Sequence, residues 1–258
     1  MALRDVNVIT FSDLVELFEG RCSAIRVGGY YPEDLCSDVL TRIVKAIDPA
    51  KRSASDIYLT NATPFYNVAG NAAAEKLYFQ NSLKSIRALR ELCAPMLSPV
   101  DAVRLDLEEI WPAGCSLMKI GGQTMSFGIA RIWQAGSEAL PHQDVLQREI
   151  ADESTGGLKG QLGMNVYLET AEEGGELEVW DYYVSDDRMR ELGITGSYGY
   201  ARGELPRPSC VISPVVGDLI LINTLHVHAV SQIRRGRRTT LSGFVGYWGT
   251  DEGLRLWA

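Results

Sequence analysis

Two textures divide the chain near Gly114. Before that point apolar residues recur at helical spacing. Thr10-Phe11-Ser12-Asp13, placed ahead of Leu14, Val15, Leu17 and Phe18, offers a capping residue and then an apolar stripe. Residues 23–27 read as a short strand. Pro32 then stands in the first turn of a helix whose inner face is Leu35, Val39, Ile43 and Ile47. Residues 73–96 and 100–110 are two further helical stretches. After Gly114 the period shortens. Residues 125–134, 163–168, 176–182, 218–223, 229–233 and 239–247 alternate or run apolar as strands do, with glycine between several of them. The pattern predicts one α+β domain over residues 1–258, mainly β. A helical part at about 1–115 dresses a sandwich or barrel core at about 116–250. Residues 184–210, rich in Gly, Tyr, Arg and Pro, fit neither period. A loop of that length reads as a functional lid or a locally disordered stretch.

Composition narrows this picture only a little. With 46% apolar and 22% charged residues, the chain can build a core without disulfide staples. Its five cysteines are odd in number, scattered and free of any Cys-x-x-Cys pair, which argues against a zinc ribbon and for a reducing compartment. No secretory leader and no apolar run of ~18 residues is visible, so a cytoplasmic location without a membrane partner is expected. A net charge of −8 argues against a nucleic-acid partner. The run Arg234-Arg235-Gly236-Arg237-Arg238 is the local exception, and its first three arginines read as a solvated turn.

Candidate chemistry gathers on the chain's three histidines, His142, His226 and His228. In Pro141-His142-Gln143-Asp144 an extended backbone points His142 and Asp144 to one side. His226 and His228 share parity in the same way. Two imidazoles and one carboxylate can hold a metal on one face and leave three positions open. A His-x-Asp pair by itself does not separate a ligand from a hydrogen-bonded structural histidine. Arg238 adds to it. It lies ten residues beyond His228, and a hairpin turning at Gly236 would return it towards the metal. Its guanidinium fork matches a carboxylate, with the Thr240 hydroxyl two residues on as a further donor.

These residues resemble the iron(II)/2-oxoglutarate dioxygenases, within them the branch containing prolyl hydroxylases. That family carries His-x-Asp and, further on, His-x-Val-x-x-Val-x-x-Gly-x-Arg-x-Ser. Here the same order appears as His142-Gln-Asp144 and as His228 through Thr240, with Ile233 and Thr240 as conservative changes. Arg131-Ile-Trp133-Gln-Ala-Gly136 is similar to the family's Tyr-containing strand, with Trp133 at the Tyr position. Asn165-Val-Tyr167-Leu168-Glu169 with Gly174-Gly175-Glu176-Leu177 is similar to its YLN…GGEL hairpin. The resemblance covers about residues 125–247 and implies a double-stranded β-helix, or jelly roll, with N-terminal helices packed on one sheet. It also implies Fe(II) held by His142, Asp144 and His228, 2-oxoglutarate held by Arg238 and Thr240 beside Trp133, and dioxygen as oxidant. Activity would be hydroxylation of an unactivated C–H bond in a small molecule such as an amino acid, with succinate and CO2 released. A peptide hydroxylase and a non-oxidative metal-binding jelly roll are the alternatives.

Other residues stay open at this point. His226 is an alternative second ligand, although the spacing to Arg238 favours His228. Arg131 shares strand parity with Trp133, and on an interior face it would need an anion such as a substrate carboxylate or phosphate. Tyr198, Tyr200 and Arg202 are expected substrate contacts from the long loop.

Overall fold

The computed structural model describes residues 3–47, 57–59, 63–150, 153–194 and 198–258. The expected helices are present. Strand β1 (Leu3–Val6) leads to α1 (Phe11–Phe18), where the Thr10 hydroxyl accepts from the Asp13 amide and Asp13 returns a bond to the Thr10 amide. This reciprocal box satisfies two donors that a helix start leaves unpaired. Strand β2 (Ala24–Val27) and α2 (Glu33–Ala46) follow, then β3 (Ile57–Leu59), α3 (Ala72–Cys93) and α4 (Pro99–Ile110). Ser98 caps α4 with Pro99 in its first turn. The N-terminal part is less purely helical than its periodicity predicts. Strand β1 pairs in parallel with β2, and β2 joins the main sheet.

Beyond Gly114 come β4 (Cys115–Leu117), the small pair β5 (Lys119–Ile120) and β6 (Gln123–Thr124), β7 (Ile129–Gln134) and β8 (Ala139–His142). Helix α5 (Leu146–Glu149), β9 (Gly160–Glu169), β10 (Leu177–Val179) and α6 (Asp186–Leu192) follow. The last elements are β11 (Cys210–Ile212), β12 (Leu219–Asn223), β13 (His228–Val230), β14 (Arg237–Tyr247) and β15 (Leu254–Trp257). Nine strands form one sheet, ordered β1-β2-β12-β9-β14-β15-β4 with β7 and β3 joining along the first half of β14. Four form a second sheet, β11-β10-β13-β8. Strands β7 to β14 alternate between them: large, small, large, small, small, large, small, large. Mixed α+β architecture is therefore as expected.

Two local expectations are corrected by this alternation. The turn through Gly236 is not a hairpin, because β13 and β14 lie in different sheets. Nor is Gly174-Gly175 a hairpin turn, since β9 and β10 also lie in different sheets. Gly174 and Gly175 have φ of 82° and 76°. A side chain at Gly174 would strike the Gln232 carbonyl, and one at Gly175 would meet Ile233 at 3.2 Å. The two crossings pass against each other there, and only glycine fits. The long segment at 184–210 is partly ordered as α6, capped by Ser185, while residues 195–197 lie outside the described residues.

The large sheet packs α1, α2 and α4 against its outer face. Leu14, Leu17, Val39, Ile43, Val103 and Leu107 meet Ile132, Val166, Leu221 and Leu241 in the principal core. A second apolar cluster joins the two sheets, with Trp133, Tyr167 and Ile222 facing Ala139, Leu177 and Val230.

Candidate active site

Between the sheets lies a cavity of about 530 Å³, within the range common for small-molecule sites. Strand register determines what faces it. Arg238 is opposite Trp133, Thr240 opposite Arg131 and Ser242 opposite Asn165, and directly opposed residues point to one side. All six line the cavity.

The small sheet contributes the histidines. His142 and His228 are register partners on β8 and β13, with ring centroids 4.3 Å apart. Asp144 follows β8, where its amide donates to the Thr224 carbonyl at 3.1 Å. His228 Nε2 stands 3.2 Å from Asp144 Oδ2, and His142 Nε2 stands 3.8 Å from Oδ1. The three donor atoms fall within 4.8 Å of one another, a spacing that could hold a metal ion. Tautomers favour this. His142 Nδ1 lies 2.7 Å from the Leu140 carbonyl and His228 Nδ1 lies 3.1 Å from the His226 carbonyl. A carbonyl only accepts, so each Nδ1 carries the proton and each Nε2 keeps a free lone pair. Burial, then the neighbouring His228 ring, pushes His142 down to about 4. Burial would raise the Asp144 carboxyl, yet the two imidazoles outweigh it and hold it below the usual range. Neutral imidazoles with an ionised carboxylate suit a divalent cation.

Arg238 is 3% exposed and has no carboxylate partner among the described residues. Its Nη2 donates to the Tyr167 hydroxyl at 2.9 Å, and its guanidinium lies 5.0 Å from the Tyr167 ring and 5.7 Å from that of Trp133. Its Nε is buried without a hydrogen-bond partner. A buried cation left so incompletely satisfied fits an anionic ligand. Beside it the Thr240 hydroxyl shares a bond with Ser242 at 3.0 Å, and Ser242 donates to Asn165 Oδ1 at 2.7 Å. The rest of the basic run turns outward as expected, with Arg234, Arg235 and Arg237 paired to Glu173, Glu172 and Glu169.

Arg131 lines the cavity, its guanidinium 5.6 Å from the Tyr66 ring and its Nε buried without a partner. Tyr198 reaches the cavity and meets His142 edge-on at 5.3 Å between centroids. Tyr200 and Arg202 do not line it. The Tyr200 hydroxyl donates to Gln143 Oε1 at 2.8 Å, while Arg202 pairs with Glu178 and stacks near Trp180. Gln143 also donates to the Leu225 carbonyl. Tyr200 therefore ties the loop to the Gln143 side chain, between His142 and Asp144, and Arg202 ties it to β10. His226 turns away from the cavity towards Asp181, 3.8 Å distant, and leaves only its carbonyl to orient His228.

Tyr167, Asn165, Tyr66 and Glu149 are cavity or guanidinium contacts that the sequence reading did not single out as site residues. Asn165 and Tyr167 had a usable signal, since both share parity on one strand. Tyr66 and Glu149 sit on single helical turns too short to show a period and had none.

Residues 127–246 match the family model described as the 2OG-Fe(II) oxygenase superfamily. The leucinostatins biosynthesis cluster protein S of Purpureocillium lilacinum is 31% identical over 189 residues, 69% of this chain and 75% of that protein. The L-isoleucine 3(1)-dioxygenase of Pantoea ananatis is 34% identical over 113 residues, which is 42% of this chain and 38% of the relative. In fold, the chain is similar to the crystal structure of an N-substituted L-amino acid dioxygenase from Burkholderia ambifaria, with a TM-score of 0.65 at 17% identity over 97% of this chain and 92% of that one.

Proposed function

The chain belongs to the 2OG-Fe(II) oxygenase superfamily, an iron(II)- and 2-oxoglutarate-dependent dioxygenase, and we propose that it hydroxylates an unactivated C–H bond of an amino acid or a close derivative. The sheet alternation from β7 to β14 is read as the double-stranded β-helix of that superfamily, one domain with the N-terminal helices on its large sheet. The observation that carries the functional reading is one shared cavity. A two-imidazole, one-carboxylate set and a buried guanidinium lacking an anion both line it.

His142, Asp144 and His228 would hold the iron, and Arg238 with Thr240 would hold the distal carboxylate of 2-oxoglutarate. With iron(II) bound, dioxygen would be the oxidant, 2-oxoglutarate giving up two electrons as it becomes succinate and CO2 and the substrate two more as it is hydroxylated. The protein's own contribution is placement. Leu140 and His226 carbonyls fix both imidazole rings, so the ligand atoms need not reorganise on loading. Tyr167 and Trp133 hold the Arg238 guanidinium at the cavity wall, where it would meet the carboxylate. Apolar walls from Leu177, Ile222, Val230 and Phe244 keep water from the space beside the ligand set. The amino-acid assignment draws on the relatives' printed activities and on Arg131, a cavity cation free to meet a carboxylate.

The test is to incubate the purified protein with Fe(II), ascorbate and 2-oxoglutarate against free amino acids, N-acyl amino acids and proline-containing peptides, and to read succinate. Succinate formation coupled to one of the first two groups is expected. Coupling to the peptides alone would replace the small-molecule reading with the peptide one.

A further inference from the structure

The cavity has two chemically different ends. Around Arg238 the wall is the cluster of Trp133, Tyr167, Leu177 and Val230. At the other end Phe244 packs with Phe65 and Leu146, residues adjoining Tyr66 and helix α5. The side chains of Arg238, Thr240, Ser242 and Phe244 step along one face of β14 between these ends, six residues or ~20 Å of extended strand. Arg131, opposite Thr240, stands between the ends and leans on Tyr66. Glu149, the last residue of α5, faces the same cavity.

Arg131 Nε is buried without a hydrogen-bond partner. Glu149 is half-buried, and among the described residues no ion pair joins it to Arg131. Both act on Tyr66: burial raises its hydroxyl, Arg131 opposes that rise, and Asp144 and Glu149 add to it. All four groups line the same cavity as the ligand set. A buried guanidinium and an acid without a basic partner in one cavity fit a ligand that carries an anion for the first and a cation for the second. Burial, then the Asp144 carboxylate, pushes Glu149 up to about 8, as an unmatched acid requires.

From this geometry we infer that Arg131 and Glu149 are the two poles of a site for a free α-amino acid, Arg131 taking the carboxylate and Glu149 the ammonium. The inference rests on the oxygenase reading and deepens it. The relatives named above act on a free amino acid in one case and on N-substituted ones in the other. An acyl group on nitrogen removes the cation that Glu149 needs, so the pair selects the unsubstituted form. Phe244, beside Tyr66 and α5, leaves an apolar surface for an aliphatic side chain.

The experiment measures calorimetric binding of free aliphatic L-amino acids, their N-acetyl derivatives and their amides to the Mn(II)- and 2-oxoglutarate-loaded protein. A parallel assay follows amino-acid-stimulated succinate release with iron. In the wild type at least one free amino acid should bind tenfold or more tightly than its N-acetyl form and its amide. Glu149→Gln should narrow the free-to-acetyl ratio towards one, and Arg131→Lys should weaken both forms together while leaving that ratio standing. Equal or tighter binding of the N-acetyl form by the wild type overturns the inference, and this comparison needs no variant to fold. An unchanged ratio in Glu149→Gln overturns it as well. 2-Oxoglutarate affinity is read in the same samples. If Arg131→Lys loses it as steeply as amino-acid affinity, Arg131 serves the co-substrate and the pairing is wrong. Absence of any iron-dependent 2-oxoglutarate consumption would strike the oxygenase reading itself.

Discussion

Strands β7, β9 and β14 present two faces that are almost equally buried and chemically opposite. Towards the helices stand Ala130, Ile132, Leu162, Val166, Leu168, Leu241 and Val245, an apolar surface that makes the principal core. Towards the small sheet stand Arg131, Trp133, Asn165, Tyr167, Arg238, Thr240 and Ser242, with two guanidinium Nε atoms lacking partners. Thr240 and Leu241 are adjacent and 1% and 0% exposed, so burial does not distinguish the faces. What distinguishes them is satisfaction. The outer face is apolar and needs no partner, whereas the inner one keeps two guanidinium Nε atoms unpartnered, which is the incompleteness a ligand site would show.

The two faces should fail in different ways. The largest effect belongs to the proposed ligands. Asp144→Ala or His228→Ala should abolish succinate production while thermal unfolding stays cooperative, and retained turnover in either would break its assignment as a ligand. Next is Arg238→Ala. If Arg238 pairs with the co-substrate carboxylate, removing one side of that buried pair costs ~3–5 kcal/mol, so the 2-oxoglutarate requirement should rise by roughly two to four orders of magnitude. A titration of initial rate against 2-oxoglutarate checks this, and a change of only a few-fold would move the anchor elsewhere.

On the outer face the response should be thermodynamic. Leu241→Ala should lose ~2–5 kcal/mol of stability in denaturant titration, with the 2-oxoglutarate requirement of the folded fraction unaltered. A kinetic defect there would mean that the faces are not independent.

The smallest expected effect is a pH-dependent one at Glu149. In the folded chain its proton is held to about pH 8. An unfolded glutamate loses it at ~4.3. Between those values the folded state binds more protons, so this group's contribution to stability falls as pH rises. Glu149→Gln removes the penalty. Its melting temperature relative to the wild type, both metal-free, should climb from about pH 5 to about pH 8. A constant difference across that window would show that the carboxyl is solvated after all.

Much of this site was legible before any fold was known. His142-Gln143-Asp144 and the run from His228 to Thr240 keep their chemistry in short-range spacing, which a linear reading recovers. The helices followed from caps and periodicity, and so did most strands. The route between the two site segments was misread. Alternation identifies a strand but not the sheet it joins, and both hairpin expectations failed where the chain crosses between sheets. Tyr200 and Arg202 were sought in the cavity because a long loop carries them. Loop membership carries no direction, and Tyr198 is the loop residue among them that lines the cavity.

By itself the sequence determined the candidate donor set, its order along the chain and the α+β class, because each depends on residues close together in the strand or helix that bears them. The tertiary structure decided which of two buried sheet faces opens on the cavity, that Tyr167 holds Arg238, and that Arg131 and Glu149 share one chamber. These depend on contacts between segments distant in the chain, and no local period encodes them.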